Sequence, residues 1–240
     1  ARSPLTGAYG ESEAGGFWGP ELKMAGWEAI VVTGQAAEPV YLSVQDDRAE
    51  LRDAGHLWGR EPEEAQATIR AELGDKLTRV LQIGPGGENL VRFAALTNDL
   101  RHFNGRTGMG AVMGSKRLKA IAVRGSDKYL SLARDPDAVA DLGKRLAKLV
   151  KQHPQSWDLQ EKGTPGLTAG LNAAGILPTR NFRESRFEHA RDISGETLRR
   201  DYLQRRTACR GCAPMSPSPA GCGSSPPTWS ATGAAGASLK

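Results

Sequence analysis

Residues Gly105–Gly125, GRTGMGAVMGSKRLKAIAVRG, join a glycine-rich segment directly to an apolar run. Glycine at positions 105, 108, 110 and 114 is costly in a regular helix or strand, so the first half of this stretch is predicted to be a loop. Such glycines let a backbone approach a ligand and direct N–H groups at an anion, and Arg106, Lys116 and Arg117 add positive charge. We therefore predict an anion-binding loop that leads into a strand over Leu118–Val123.

Two common nucleotide-binding motifs do not fit this stretch. A P-loop requires GxxxxGK[ST], whereas Gly110 is followed by AVM and then by Gly-Ser-Lys. A Rossmann loop must follow a strand, and the preceding LTNDLRHFN, residues 96–104, is typical of a polar helix end. A glycine-rich turn that only packs is the structural alternative.

Two other segments have the composition of ligand-contacting turns. In GESEAGGFWGP, residues 10–20, Glu11 and Glu13 beside a glycine pair could accept hydrogen bonds from a polar heterocycle, while Phe17 and Trp18 could equally be core residues. In IGPGGENL, Ile83–Leu90, a predicted helix N-terminus could face an anion.

The first 125 residues are predicted to form an α+β domain with a mainly antiparallel sheet. Short apolar runs at Glu28–Thr33, Val40–Val44 and Leu77–Ile83 favour strands, joined by glycine turns. Helices are predicted from Pro62 to a C-cap at Gly74, and from Glu88 to Asp99 with Leu90, Phe93, Ala94 and Thr97 on one face.

The rest of the chain has a different character. Asp135 and Pro136 begin a predicted helix that would direct Val139, Leu142, Leu146 and Leu149 inward, and Thr164-Pro165 and Ser194 begin others. Residues 126–212 are therefore predicted to be the start of a helical domain. Residues 213–240 are dominated by Ala, Pro, Ser, Gly and Thr, and are predicted to be a low-complexity, disordered tail.

Composition excludes several classes of protein. The 240 residues are 39% hydrophobic and 25% charged, as in a globular protein, and no run approaches the ~18 apolar residues of a membrane span. A net charge of +5 suits an anionic ligand but not a nucleic-acid partner. Three cysteines do not form a disulfide framework, which favours a cytoplasmic protein. The CxxC pair, Cys209 and Cys212, could bind an iron–sulfur cluster. Zinc is disfavoured because it needs four ligands and no histidine follows His189. A pair of cysteines that binds no metal is the alternative.

Five segments together resemble the aldehyde ferredoxin oxidoreductase family: ARSPLTG, GGFWGPELKMAGWEAIVV, GPGGENLVR, GRTGMGAVMGSKRLKAIAVRG and GILPTRNF. The resemblance extends from residue 1 to about Cys212. It implies tungsten or molybdenum held by two pterins beside a [4Fe-4S] cluster, and oxidation of a small aldehyde to a carboxylate with ferredoxin as electron acceptor. Alternatives are the aryl-CoA reductase branch of the family, which takes an acyl-CoA, a non-catalytic cofactor-binding fragment, and an anion- or RNA-binding module.

The resemblance also assigns roles to individual residues. It places the pterin at Glu13, Gly15 and Gly16 of the first segment and at Arg106, Thr107, Met109 and Gly110 of the glycine-rich loop, largely through backbone atoms. It assigns Cys209 and Cys212 to the first two places of the cluster motif CxxCxxxC. The catalytic acid and base fall outside this chain, and a homodimer is possible because homodimers occur in the family.

The third cysteine of that motif would be residue 216, which here is Ser216. This departure coincides with the change in composition, so we expect the similarity to stop near Cys212 because of a frameshift or sequence error. With only two cluster ligands in register, the chain as written is predicted to bind no stable cluster and to lack aldehyde oxidoreductase activity. The nucleotide sequence around codon 213 tests this: an alternative frame should restore the third cysteine and a helical continuation.

Overall fold

A computed structural model describes residues 1–126, 133–154, 158 and 161–203. The predictions for Cys209, Cys212 and the tail lie outside these residues. The chain divides into two compact units, which within the described residues are Ala1–Leu142 and 143–203. The boundaries predicted at residues 125 and 212 are not tested by this division and stay a prediction.

The first unit contains one six-stranded sheet. Its strand order is β2-β1-β6-β3-β4-β5, in which β1 and β6 are parallel and every other neighbouring pair is antiparallel. The elements of the unit, up to the start of its last helix, are α1 (Trp18–Met24), β1 (Val40–Gln45), β2 (Arg48–Asp53), a 3₁₀ turn (Gly55–Leu57), α2 (Pro62–Leu73), β3 (Arg79–Gln82), α3 (Pro85–Glu88), β4 (Leu96–Asn98), β5 (His102–Asn104), α4 (Met109–Ser115) and β6 (Leu118–Arg124). The α+β fold with a mainly antiparallel sheet is confirmed.

Strand β6 lies in the interior of the sheet, and both of its faces are buried and mostly apolar. Successive side chains of a strand point to opposite faces. Ile121 and Val123 pack on the face covered by α1 and α4, and Ala120 and Ala122 pack on the face covered by α2. The predicted strands at Val40–Val44 and within Leu77–Ile83 are confirmed as its neighbours β1 and β3.

Helix α2 has the predicted ends. Pro62 occupies the first turn, where its missing N–H is not needed, and Glu63 and Glu64 complement the positive end of the helix dipole. Gly74 ends the helix in the left-handed conformation, at φ 68°.

The strand predicted at Glu28–Thr33 is wrong. These residues form no strand, and Val31 is 85% exposed. The reason is that β1 and β6 already have a partner on each side, so neither offers a free edge nearby. Only Trp27 and Ile30 pack on the core, and the Trp27 indole N–H donates to the carbonyl of Asp46 at 2.7 Å.

The helix predicted at Glu88–Asp99 is also wrong. Helix α3 ends at Glu88, Leu90 has φ 57°, and Phe93 is 71% exposed. The chain instead passes through turns, in which the Val91 N–H donates to the carbonyl of Gly86 and the Ala94 N–H donates to the carbonyl of Val91, before it enters β4. The LTNDLRHFN stretch, predicted as a helix end, is the β4–β5 hairpin.

The last helix of the first unit, α5 (Pro136–Gln152), begins where predicted, and the unit boundary falls within it. Helical spacing does place Val139, Leu142, Leu146 and Leu149 on one face, but all four are about half exposed rather than directed inward. Spacing decides which residues share a face and not what covers that face, and no described part of the chain covers this one fully.

In the second unit the predicted helix starts at Thr164 and Ser194 are confirmed. A 3₁₀ turn, Thr164–Gly166, leads into α6 (Leu167–Ala173). The Ser194 hydroxyl accepts a hydrogen bond from the backbone N–H of Thr197 in α7 (Gly195–Thr197), which continues as a π-helical turn over Leu198–Tyr202. Among the described residues, no helix is both long enough and apolar enough to span a bilayer.

Tyr41 of β1 is expected to make the fold less stable as pH rises into the alkaline range. Burial raises the pKa of Tyr41 to about 12 from its ordinary 10.0, and the hydrogen bond to Glu72 at 2.8 Å acts in the same direction. Because the pKa is raised, Tyr41 contributes its full stabilisation below about pH 10, and this contribution, on the order of 2 kcal/mol, is lost as pH rises to about 12. Urea unfolding of the wild type and of Tyr41→Phe at intervals across this range should show the wild type losing more stability than the variant. Parallel pH dependences for the two proteins would contradict the assignment.

Candidate cofactor site

A cavity of about 670 Å³ opens between two segments that are distant in sequence. This volume is within the roughly 300–1,000 Å³ of typical ligand pockets. Its lining comes from the first sixteen residues, here called the strap, and from β5 with the turn that follows: Glu11, Ser12, Glu13, Phe103, Gly105 and Arg106.

The strap has little regular structure of its own. One bridge pairs Arg2 with Tyr9, and the terminal ammonium group of Ala1 donates to the carbonyl of Gly10 at 3.1 Å. The buried Ser3 hydroxyl donates to the carbonyl of Thr107 at 2.8 Å, which ties the strap to the turn before α4.

Further hydrogen bonds join the middle of the strap to the same turn. The backbone N–H of Arg106 donates to the Ser12 hydroxyl at 3.2 Å, and the Thr107 hydroxyl donates to the carbonyl of Glu11 at 2.9 Å. Thr107 has φ 61°, a left-handed conformation that is unfavourable for a β-branched residue. Contacts on both its hydroxyl and its carbonyl hold it there.

The structure brings the predicted site residues Glu13 and Arg106 to one cavity. Both side chains are exposed and line it. Gly15 is exposed on the strap beside them, whereas Gly16 is buried with φ 103°, and a β-carbon there would lie 2.7 Å from Cδ2 of His102. Gly16 therefore serves the close approach of the strap to the hairpin.

The glycine-rich loop is shorter than predicted. It covers residues 105–108, and from Met109 the chain is helical. Gly108 lies in the loop as predicted and must be glycine. Its φ is 71°, and a β-carbon there would lie only 2.0 Å from the carbonyl oxygen of Arg92. Gly110 and Gly114 lie within α4, where the absence of a side chain lets the helix touch another backbone.

Gly110 is buried, and its N–H donates to the carbonyl of Ala94 at 2.9 Å. A β-carbon on Gly110 would lie 2.5 Å from the carbonyl oxygen of Ala95. Its visible role is packing, and its contact with a cofactor stays a prediction. Met109 is half-buried, and its Cε lies 2.9 Å from where a β-carbon on Gly10 would be.

The core alternative describes Trp18, whereas Phe17 belongs to neither core cluster of the described residues. Trp18 packs on the core, and its indole N–H donates to the carbonyl of Ile121 at 2.9 Å. The ring of Phe17 lies beneath the guanidinium of Arg79, 4.9 Å from ring centre to Cζ.

Sequence reasoning missed three residues that shape the cavity: Ser12, Asn98 and Asn104. The amide nitrogen of Asn104 donates to the carbonyl of Ser12, and that of Asn98 donates to the carbonyl of Gly15, both at 2.8 Å. The Asn98-Asp99 pair is a turn signal, and reading it as one would have revealed the hairpin.

Comparison with known proteins identifies the family of the chain. The family model for the aldehyde ferredoxin oxidoreductase N-terminal domain matches residues 1–125, and the model for domains 2 and 3 matches residues 141–222. The chain belongs to the aldehyde ferredoxin oxidoreductase family. The second match ends at residue 222, ten residues beyond Cys212, so Cys222 lies within the matched region and the cause of the change in the tail stays a prediction.

Relatives in this family contain tungsten. The chain is 45% identical to the tungsten-containing aldehyde ferredoxin oxidoreductase of Thermococcus kodakarensis and 42% identical to that of Pyrococcus furiosus, over 92% of its own length and 36% of theirs. A solved structure of the active-site complex BamBC of benzoyl coenzyme A reductase, bound to 1,5-dienoyl-CoA, matches 90% of the chain and 34% of its own, with TM-score 0.64 and 29% identity. The chain thus spans about a third of the length of these relatives.

Proposed function

We propose that this chain supplies the pterin-binding part of a tungsten-containing oxidoreductase that oxidises aldehydes to carboxylates, with ferredoxin as electron acceptor. The observation that carries this proposal is the cavity lined by both Glu13 of the strap and Arg106 of the glycine-rich turn. The family resemblance independently assigns both residues to the pterin. The cavity lies in the region matched by the family's N-terminal domain.

The residues present fit such a group. A pterin with its phosphate offers an anion to a cation and ring N–H donors to a carboxylate. Arg106 supplies the cation, and Glu11 and Glu13 supply acceptors on the opposite segment of the same cavity. Arg106 would bind the phosphate and Glu13 would orient the ring.

When bound, the tungsten–pterin group supplies the redox chemistry at the aldehyde carbon, and a [4Fe-4S] cluster passes electrons singly to ferredoxin. The chain's own share is binding and orientation. The strap and the turn position the ring, and the hydrogen bonds of Ser3, Ser12 and Thr107 keep those two segments together.

The proposal extends to residues outside the described part of the chain. Cys209 and Cys212 are proposed as two ligands of the cluster, in a cytoplasmic enzyme whose thiols stay reduced. Molybdenum in place of tungsten, and a homodimeric assembly, are compatible with the same site.

Reduction of an aryl-CoA is the second candidate, because the benzoyl coenzyme A reductase structure shares the fold over 90% of the chain. Aldehyde oxidation is favoured because the identity to the aldehyde ferredoxin oxidoreductases, at 45% and 42%, exceeds the 29% to the reductase.

Metal and pterin analysis of the full-length protein, produced anaerobically with tungstate, tests the proposal. We expect tungsten and pterin in a constant ratio, with aldehyde-dependent reduction of ferredoxin. Replacing Arg106 with alanine removes a charge-assisted contact and should lower pterin content about tenfold or more. Arg101→Ala, at the exposed tip of the hairpin, is the matched control and should retain full content.

The outcomes separate the alternatives. Activity with an aryl-CoA and none with aldehydes would move the assignment to the second candidate. Absence of tungsten and molybdenum from the wild type, or an unchanged pterin content in Arg106→Ala, would overturn the cofactor site.

A further inference from the structure

The part of the strap that lines the cavity is held in place by hydrogen bonds from other segments of the chain. Glu11, Glu13 and Gly15 are exposed, and residues 11–16 belong to no helix or strand. Backbone carbonyls without a partner in regular structure must find one elsewhere. For Ser12 and Gly15 that partner is a side-chain amide of the hairpin, as described above.

The two amides lie on one face of the hairpin. Asn98 pairs with His102 across β4 and β5, and Asn104 is two residues further along β5. Residues opposite one another, and alternate residues of one strand, share a face of a sheet. The contact of Gly16 with His102 and Asn98 confirms that this face meets the strap.

The hairpin that carries the amides is itself fixed. Its turn has two left-handed residues in succession, Asp99 at φ 49° and Leu100 at φ 63°. The largely buried Asp99 carboxylate pairs with Arg70 at 3.2 Å and with Arg79 at 3.4 Å. The strap therefore rests against a rigid support.

Glu13 lies between the two tethered carbonyls, those of Ser12 and Gly15. Because residues 11–16 have no helix or strand to fix them, its position in the cavity depends on these two hydrogen bonds, together with the contacts of Glu11 and Ser12 to the glycine-rich turn. Asn98 is 4% exposed, so its donor cannot be replaced readily by water.

We propose that Asn98 and Asn104 are positioning residues of the cofactor site: their amides hold the strap where Glu13 can orient the ring of a bound pterin. This inference rests on the proposed function for the identity of the ligand, whereas the tethering itself does not. Neither residue needs to touch the cofactor.

Asn104→Asp in the full-length protein is the main test. Aspartate keeps the shape of asparagine but replaces the donor with a charged acceptor facing the carbonyl of Ser12. We expect hydrogen exchange in residues 11–16 to become about tenfold faster and pterin retention to fall about fivefold to tenfold, the loss expected from one hydrogen bond. Asn104→Ala should give a smaller change in the same direction.

Asn89→Asp is the matched control, because the Asn89 amide also donates to a carbonyl, that of Pro85 at 2.9 Å, but outside the cavity. It should leave the exchange of residues 11–16 and the pterin content unchanged. Exchange in β6 serves as an internal reference: faster exchange there as well would mean general loss of stability rather than a released strap, and would overturn the proposal.

Measuring hydrogen exchange on cofactor-free protein as well distinguishes the tethering of the strap from the binding of a pterin. A wild type without pterin, in which Asn104→Asp still frees residues 11–16, would defeat the proposed function and leave the tethering standing. A pterin-loaded wild type whose Asn104→Asp variant exchanges and retains pterin normally would defeat the positioning role and leave the proposed function standing.

Discussion

Gly114→Ala is expected to force α4 away from α3 and to destabilise the first unit by about 3 kcal/mol or more, beyond the usual cost of overpacking. A β-carbon on Gly114 would lie 2.0 Å from the carbonyl oxygen of Gly87 and 2.7 Å from its carbonyl carbon. Both obstacles are backbone atoms, so no side-chain rotation relieves the clash. Urea unfolding measures the loss.

Gly143→Ala is the matched control for this prediction. Gly143 also lies within a helix, α5, but no atom lies within 4 Å of its hypothetical β-carbon. Alanine there should stabilise the helix by ~0.5–1 kcal/mol because it restricts the unfolded chain. Equal effects of the two substitutions would show that α3 and α4 are not in contact.

Lys119→Met is expected to destabilise the first unit by ~3–5 kcal/mol, because it leaves a buried carboxylate without its cation. Lys119 is 0% exposed and Glu88 is 3% exposed. The Lys119 ammonium donates to Glu88 and, at 2.9 Å, to the carbonyl of Arg60, and Glu88 also accepts from the N–H of Gly59 at 2.7 Å. The pair therefore joins β6, α3 and the loop before α2.

Two further variants test whether the loss of stability arises from the burial of the charged pair. Lys23→Met removes the cation of an exposed pair, Lys23 with Glu28, and should change stability by less than ~1 kcal/mol. The double variant Lys119→Met with Glu88→Leu removes both buried charges and should recover part of the loss. If Lys119→Met proves as mild as Lys23→Met, the pair is not buried in solution.

Elements whose signals are local were predictable from sequence. Helix α2 has a proline at its start, acidic residues in its first turn and a glycine at its end, and each of these acts within a few residues. Strand β6 is mostly apolar, with Lys119 as the exception within it, because it is buried on both faces. These properties do not depend on the rest of the fold.

Elements decided by contacts between distant segments were not predictable in the same way. The valines of Glu28–Thr33 have the composition of a strand, but the sheet has no free edge beside them. Helical spacing at 88–99 is overridden because the backbone of Ala94 and Ala95 packs directly against Gly110. Gly110 and Gly114 indicated a loop, yet they belong to a helix whose neighbours come too close for side chains.

The same distinction between local signals and contacts of distant segments applies to the residues of the candidate site. Family resemblance identified Glu13 and Arg106, which the structure brings to one cavity. It did not identify Asn98 and Asn104, because their importance lies in the carbonyls they reach across the hairpin. Such a contact becomes visible only when the strap is placed against β4 and β5.

A structure of the full-length protein loaded with tungsten and pterin would test the assignment of the cavity most directly. Anomalous scattering would locate the tungsten, and density would locate each pterin. We expect one pterin to contact the Arg106 guanidinium and the Glu13 carboxylate between the strap and the β4–β5 hairpin. Pterin density that leaves this cavity empty would contradict the assignment.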